Sequence, residues 1–118
     1  MDAQSLLSDF QYFQKTKSDL TAAFGNDLHN VSTTPVIVSR DAAVFAIDMY
    51  LSGKITKNQL VDWVNVLWFT DLFEYADEDA DSIASVMDVL ETLDEEGAEF
   101  STEDFQRMKE CLLNNEEY

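Results

Sequence analysis

The sequence predicts an all-α protein, a single-domain bundle of about five helices over residues 1–118. Apolar residues recur at intervals of three, four and seven along most of the chain, which is the period of a helix with one buried face. Residues that commonly begin or end helices separate these stretches. With 46% hydrophobic residues the chain can bury one core, and no linker or internal repeat marks a second domain.

The first predicted helix spans residues 2–24. Its apolar stripe consists of Leu6, Phe10, Phe13, Leu20 and Phe24. Only Lys17 interrupts the stripe, and Gly25 is the expected end of the helix. The residues that follow, NDLHNVSTTPVIV, are rich in β-branched side chains and contain Pro35, so we expect an extended segment. Thr34-Pro35 could instead cap an early start of the second helix.

The second and third helices are predicted over DAAVFAIDMYLS and QLVDWVNVLWF. Ser39 is the preferred cap of the second helix, with Asp41 in its first turn, and Gly53 ends it. Thr56 and Gln59 form a capping box for the third helix. The third helix is apolar, but it is about half the length needed to cross a bilayer, so we expect a core helix and no membrane contact.

The fourth and fifth helices complete the predicted bundle. The stretch SIASVMDVLETL is an amphipathic helix that we expect to end near Gly97. Its inner face consists of Ile83, Val86, Met87, Leu90 and Leu93. The last helix has Ser101 or Thr102 as its cap. Its first turn carries Glu103 and Asp104, and its inner stripe consists of Phe105, Met108 and Leu112.

The net charge of −17 is concentrated in the second half of the chain. Residues 1–70 hold seven acids and five bases, whereas residues 71–118 hold seventeen acids and two bases, Arg107 and Lys109. The two parts therefore carry charges of −2 and −15. Such a field repels nucleic acid and anionic lipid and attracts basic protein surfaces. We therefore expect a basic protein partner, no direct nucleic-acid binding and no membrane binding.

The densest acidic stretch is EYADEDAD, residues 74–81, and a calcium loop is the first explanation to test. Asp77, Asp79 and Asp81 match the first three ligand positions of an EF-hand, and Asp88 falls at its last. However, Ser82 stands where the sharp turn needs glycine, and the last position requires a longer, bidentate glutamate. The predicted helix also begins inside the loop. We therefore expect no metal site.

Two further explanations remain for these acids: a solvated helix surface, or recognition of a basic partner. Helix capping needs only one or two carboxylates, and the acids farther along the fourth helix have no Lys or Arg four residues on. Tyr75 lies in a polar stretch with no apolar period to bury it, which favours an interface anchor. The predicted partner-binding residues are Glu74, Tyr75, Asp77, Glu78, Asp79, Asp81, Asp88 and Glu95.

Nothing in the sequence favours catalysis. The chain has one histidine, His29, and one cysteine, Cys111, far apart in sequence, and no glycine-rich phosphate loop. We expect no catalytic residue, no cofactor and no enzyme activity. The single cysteine also excludes an internal disulfide. The start MDAQSLLSDF lacks the basic region and apolar core of a secretion signal, so a cytoplasmic location is expected.

The segment Asp41–Trp63, DAAVFAIDMYLSGKITKNQLVDW, resembles part of a family of small, acidic, all-helical bacterial immunity proteins. Its helix, Gly-Lys-Ile-Thr turn and second helix are similar to those of colicin D immunity-like proteins and of immunity proteins from contact-dependent growth inhibition systems. The resemblance covers about a fifth of the chain. It implies a cytoplasmic inhibitor of a nuclease toxin, often one that cuts tRNA, and it supplies no catalytic residues.

The charge and the resemblance lead to one functional hypothesis. We expect an immunity protein that neutralises a cognate basic nuclease toxin, with an acidic face that replaces the phosphates of its substrate. Two alternatives use the same charge: a nucleic-acid mimic that inhibits a host DNA-binding protein, and an acidic helical adaptor. A toxin gene beside this one would favour immunity, and phage genes would favour mimicry.

Overall fold

Helices dominate the structure, a computed structural model that describes residues 3–28, 31, 33–95 and 100–118. Its elements are α1 (Ala3–Gln11), α2 (Lys17–Phe24), β1 (Val36–Val38), α3 (Arg40–Leu51), α4 (Lys57–Phe69), β2 (Phe73–Tyr75), α5 (Ala80–Leu90) and α6 (Thr102–Leu113). A 3-10 turn, Glu91–Asp94, continues α5. The predicted all-α fold class is confirmed.

The N-terminal region contains two helices where the sequence predicted one. Helix α1 ends at Gln11, and α2 begins after Thr16, whose hydroxyl and backbone form a reciprocal capping box with Asp19. Between them, Phe13 has a positive φ of 63°, which reverses the chain. In this conformation the Phe13 ring stacks on Trp63 at 5.8 Å, so the apolar stripe still packs on the core despite the break.

A small parallel sheet, which the sequence analysis only half predicted, lies beside the helices. The extended segment before α3 contains β1, as expected, but β2 was not predicted. The two strands pair in parallel, with Val36 opposite Phe73, Ile37 opposite Glu74 and Val38 opposite Tyr75. Since parallel strands need a long crossover connection, α3 and α4 fill the interval between them.

The sheet has one inner and one outer face because side chains alternate along each strand. Val38 and Phe73 are buried in the core, whereas Ile37 is 55% exposed and Glu74 is exposed beside it. This three-residue alternation in β2 is too short to stand out among helical periods. The alternation nevertheless determines which side chains of β2 face the core and which, such as Glu74, face solvent.

The helix starts follow the predicted caps, with one exception. Thr56 and Gln59 form the predicted capping box of α4, and Ser101 caps α6 together with Asp104. Ser39 precedes α3 as predicted, but its side chain makes no capping hydrogen bond. The fourth helix was predicted to end near Gly97, but it ends earlier: α5 stops at Leu90, the 3-10 turn stops at Asp94, and Glu95 is extended. Gly97 itself lies outside the described residues.

The core lies where α3 meets the other helices. Its buried residues on α3 are Ala42, Ala43, Ala46 and Ile47, and small side chains of this kind let neighbouring helices approach closely. Trp63 of α4 is fully buried, and its indole N–H donates to the carbonyl of Gln11 at the end of α1 (2.9 Å). The predicted inner faces of α5 and α6 are buried as expected. None of the helices in the described ranges is long and apolar enough to span a membrane.

Candidate partner-binding surface

The acidic stretch 74–81 runs through three kinds of structure. It begins in β2, turns where the amide of Asp79 donates to the carbonyl of Ala76 (2.9 Å), and enters α5 at Ala80. The amide of Ala76 also donates to Val38 of β1 (2.9 Å), which fixes the turn to the sheet. Neighbouring acids in the sequence therefore point in different directions.

Asp79 points inward and joins three elements. It is 6% exposed, and its Oδ1 accepts a hydrogen bond from Arg40 Nε at 2.7 Å. Its Oδ2 accepts from the backbone N–H of Arg40 at 3.1 Å, a bond that caps α3 in place of Ser39. Arg40 Nη1 in turn donates to the carbonyl of Leu112 (3.0 Å), at the end of α6. The prediction that Asp79 faces a partner is wrong, because both carboxylate oxygens are bonded to Arg40.

Residues 114–118 lie along the first turns of α5, a contact that the sequence analysis missed. Asn115 has a positive φ of 54°, and the amides of Asn115 and Glu116 donate back to Leu112 and Cys111, which is a Schellman-type helix end. Asn115 Nδ2 donates to the carbonyl of Glu78 (2.9 Å), and its Oδ1 accepts from the Ser82 hydroxyl (2.9 Å). In the sequence, the pair Asn114-Asn115 after the apolar stripe of α6 was the available signal for this helix end.

The same contact brings more carboxylates to the acidic stretch. The backbone N–H of Tyr118 donates to the Ser85 hydroxyl (2.9 Å). Ser85 lies between Asp81 and Asp88 on one exposed stripe of α5, since the three positions are four and three residues apart. Glu116 and Glu117 therefore join these acids. We define the acidic surface as Glu74, Asp77, Glu78, Asp81, Asp88, Glu116 and Glu117, all of which are exposed.

Carboxylates of the acidic surface form no ion pair within the described ranges. The salt bridges found there join Lys17 to Asp62, Arg40 to Asp79 and Lys109 to Asp48. Arg40 reaches this region but is bonded to Asp79, and the guanidinium of Arg107 lies 5.9 Å from the centre of the Tyr118 ring. Because these carboxylates are close together and not neutralised by cations, the surface has a strong negative potential.

Glu95 is exposed but does not continue the stripe of Asp81 and Asp88. The sequence projected all three onto one helix, whereas α5 tightens into a 3-10 turn at Glu91 and Glu95 has an extended backbone (φ −76°, ψ 143°). The Thr92 hydroxyl donates to the carbonyl of Val89 (2.7 Å) at this transition. The predicted fourth helix included Glu95, but Glu95 lies outside the helical stripe that Asp81 and Asp88 share.

Tyr75 is packed rather than freely exposed. Its ring stacks on Trp68 at 5.8 Å, and its hydroxyl donates to the carbonyl of Leu67 (3.1 Å) near the end of α4. Burial raises the pKa of the Tyr75 hydroxyl above its ordinary value, so it stays a neutral donor. The expectation that nothing buries this residue is wrong, because β2 turns its side chain toward α4.

An open cleft of about 450 Å³ lies beside β2. Apolar and aromatic groups of α4 and β2 line it, together with two exposed members of the acidic surface, Glu74 and Asp77. Its lining residues are Leu67, Trp68, Thr70, Phe73, Glu74, Tyr75, Asp77 and Ala80. A cleft of aromatic rings and carboxylates suits a basic or extended protein segment.

The other candidate chemistries have little structural basis in the described ranges. No group of three or more metal-binding side chains is gathered there, and Asp79, one of the proposed calcium ligands, is bonded to Arg40. Cys111 is half-buried in α6, and His29 lies outside the described residues, so their pairing stays untested.

Comparison with protein families, curated proteins and solved structures finds no match. The segment Asp41–Trp63 forms most of α3, the following turn and the first half of α4. It lies in the helical scaffold and contributes none of the acidic surface. Its resemblance to immunity proteins therefore bears on the scaffold alone.

Proposed function

We propose that this protein is a cytoplasmic immunity protein that binds and neutralises a basic nuclease toxin through its acidic surface. One observation carries the proposal: seven exposed carboxylates occupy β2, the turn that follows it, α5 and residues 114–118, and no described cation pairs with them. The resemblance of Asp41–Trp63 to immunity proteins supports it independently.

The mechanism follows from what a nuclease must present to its substrate. A cleft that binds RNA or DNA is lined with Lys and Arg that contact phosphates. Carboxylates held on rigid elements can occupy the same positions without being cleaved. Long-range attraction brings the two proteins together, and charge pairs that lose water in the interface add affinity.

The structure revises the residues assigned to this role. Asp79 is removed because its carboxylate is bonded to Arg40, and Tyr75 contributes as a packed wall of the cleft. Glu116 and Glu117 are added because residues 114–118 lie against α5. Glu95 is exposed but lies beyond the stripe of α5.

The direct test removes charge without changing shape. The variant Asp77→Asn, Glu78→Gln, Asp81→Asn should bind the nuclease encoded beside this gene at least about 100-fold more weakly, because charges that meet Lys or Arg in a desolvated interface each contribute more than about 1.5 kcal/mol. Calorimetric titration measures this loss, and urea unfolding checks that both proteins are folded.

A matched control carries the same change in net charge at exposed or half-exposed acids of other elements. The variant Asp9→Asn, Asp41→Asn, Glu103→Gln should lose less than about threefold in affinity, since remote charges act mainly on the association rate. Equal losses in the two variants would mean that net charge alone matters. Undiminished affinity in the first variant would show that the interface lies on another surface. Absence of any complex with the nuclease would refute the proposed function.

Salt should affect the rates of binding unequally. If the acidic surface steers a basic toxin, raising the salt concentration from about 0.05 to 0.5 M should slow association about tenfold or more, because the screening length falls severalfold. Dissociation should change much less. Stopped-flow fluorescence measures both rates, and an association rate that does not depend on salt would contradict electrostatic steering.

A further inference from the structure

The second strand of the sheet has one edge that faces away from β1. In a parallel pair, the N–H and C=O of one residue point to the same side, and the next residue points to the other. Leu72 accepts from the amide of Val36 (3.0 Å), and Ala76 donates to Val38 (2.9 Å). The backbone groups of Glu74 therefore face β1, and those of Phe73 and Tyr75 face outward.

The two outer edges of the sheet differ in how they are covered. On the β1 side, Gln11 of α1 donates its Nε2 to the carbonyl of Ile37 (3.2 Å), and Gln4 donates to Thr34 just before the strand (2.7 Å). On the β2 side, no described donor or acceptor bonds to the outward backbone groups of Phe73 and Tyr75. This free edge is a template for strand pairing.

The open cleft lies along this free edge. Three consecutive residues of β2, Phe73, Glu74 and Tyr75, line it. Because consecutive side chains of a strand point to opposite faces, a cleft that touches all three must reach the edge rather than one face. Leu67 and Trp68 of α4 also line the cleft, so an added strand would find apolar side chains as well as hydrogen-bonding groups.

The negative charge at the cleft indicates which kind of segment would bind there. Glu74 and Asp77 line the cleft, and neither carboxylate has a cation within 4.0 Å in the described part of the chain. A second copy of this chain carries a net charge of −17 and would be repelled. An extended segment with Lys or Arg side chains supplies both the missing backbone partners and the opposite charge.

We propose that a basic, extended segment of the protein partner adds to the free edge of β2 as a third strand. Backbone hydrogen bonds to Phe73 and Tyr75 would hold it, and its cations would meet Glu74 and Asp77. The identity of that partner as a nuclease toxin rests on the proposed function, but the docking mode does not.

The test uses the full chain and a peptide probe, acetyl-Lys-Thr-Lys-Thr-Lys-Thr-amide, at millimolar concentration. Nuclear magnetic resonance follows the backbone amides while the peptide is added. At saturation, hydrogen exchange of the Phe73 and Tyr75 amides should slow by about tenfold or more, whereas the Glu74 amide, already facing β1, should change little. The same peptide with Glu in place of Lys should not bind.

Two methylated peptides separate strand addition from simple charge attraction. One carries N-methyl groups on its three Lys residues and the other on its three Thr residues, so their composition and charge are identical. In an added strand only one of these sets of N–H groups faces β2, and that peptide alone should lose binding. In the protein, Glu74→Gln should weaken binding about fivefold or more, and Asp41→Asn should not.

Equal binding of the two methylated peptides, unchanged exchange at Phe73 and Tyr75, or no binding at millimolar peptide would each overturn strand addition. Hydrogen exchange measured in the complex with the toxin distinguishes failure of this inference from failure of the proposed function. If the toxin binds while the Phe73 and Tyr75 amides stay unprotected, the proposed function stands and this docking mode fails. If the peptide adds to β2 but the neighbouring toxin does not bind, the reverse holds.

Discussion

Asp79 and the acids on either side of it belong to one run of sequence but to two different environments. Asp77 and Asp81 are exposed, whereas Asp79 is buried and bonded through both oxygens to Arg40, 39 residues earlier. The first environment supplies charge to a surface, and the second fixes α3, α5 and α6 to one another. A tertiary partner, and not local composition, decides which role a carboxylate has.

Removing the charge of Asp79 should give the largest effect on stability. The variant Asp79→Asn leaves Arg40 without its carboxylate and weakens the cap of α3, so the free energy of unfolding should fall by about 2–4 kcal/mol. Urea denaturation at pH 7 measures it. The matched variant Asp77→Asn, two residues away and exposed, should change stability by less than about 0.5 kcal/mol. Similar values for the two variants would show that Asp79 and Asp77 do not differ in their contribution to the fold.

Tyr75 tests the same contrast with an uncharged group. The variant Tyr75→Phe keeps the stack on Trp68 but removes the hydrogen bond to Leu67, which should lower stability by about 1 kcal/mol at pH 7. Because the pKa of Tyr75 is raised in the folded state, its contribution is complete below the ordinary tyrosine pKa of about 10 and decreases at higher pH.

The wild-type protein should therefore lose stability more steeply than Tyr75→Phe as the pH rises above about 10. Thermal unfolding of both proteins at a series of pH values measures the difference. Parallel curves would show that the Tyr75 hydroxyl is not held neutral by its surroundings.

Asp19 is an intermediate case, exposed but locally bonded, and should give the smallest effect. Hydrogen bonds from the backbone and side chain of Thr16 lower the pKa of Asp19 below 3.8. A lowered pKa stabilises the folded protein above that value, and the stabilisation disappears as the pH falls through the folded pKa. Asp19→Asn should therefore be slightly less stable than wild type at pH 6, and the difference should shrink as the pH falls below 3.8. A difference that does not shrink as the solution is acidified would contradict this origin.

The elements that could be predicted from sequence are those marked by local signals. The capping residues of α4 and α6 lie within three positions of their partners, so Thr56 with Gln59 and Ser101 could be recognised directly. The break between α1 and α2 carries the same kind of signal, Thr16 with Asp19, but the continuous apolar stripe from Leu6 to Phe24 concealed it. The period of a stripe does not show whether one helix or two present it.

Long-range partners account for the errors. Strand β2 exists because β1, 37 residues earlier in register, pairs with it, and three residues alone carry no clear strand pattern. The burial of Asp79 likewise depends on Arg40, and the position of Glu116 and Glu117 depends on Asn115 reaching Glu78. Of the predicted acidic residues, Glu74, Asp77, Glu78, Asp81, Asp88 and Glu95 are exposed, and their role in binding stays a prediction.

The two tryptophans occupy environments that make them separate optical reporters. Trp63 is sealed in the core with its indole N–H bonded to Gln11, so its emission should change only when the protein unfolds. Trp68 stacks on Tyr75 at the wall of the open cleft, where an arriving segment would displace water from the ring. Fluorescence of a Trp63→Phe protein would then follow occupancy of the cleft, and that of Trp68→Phe would follow the integrity of the fold.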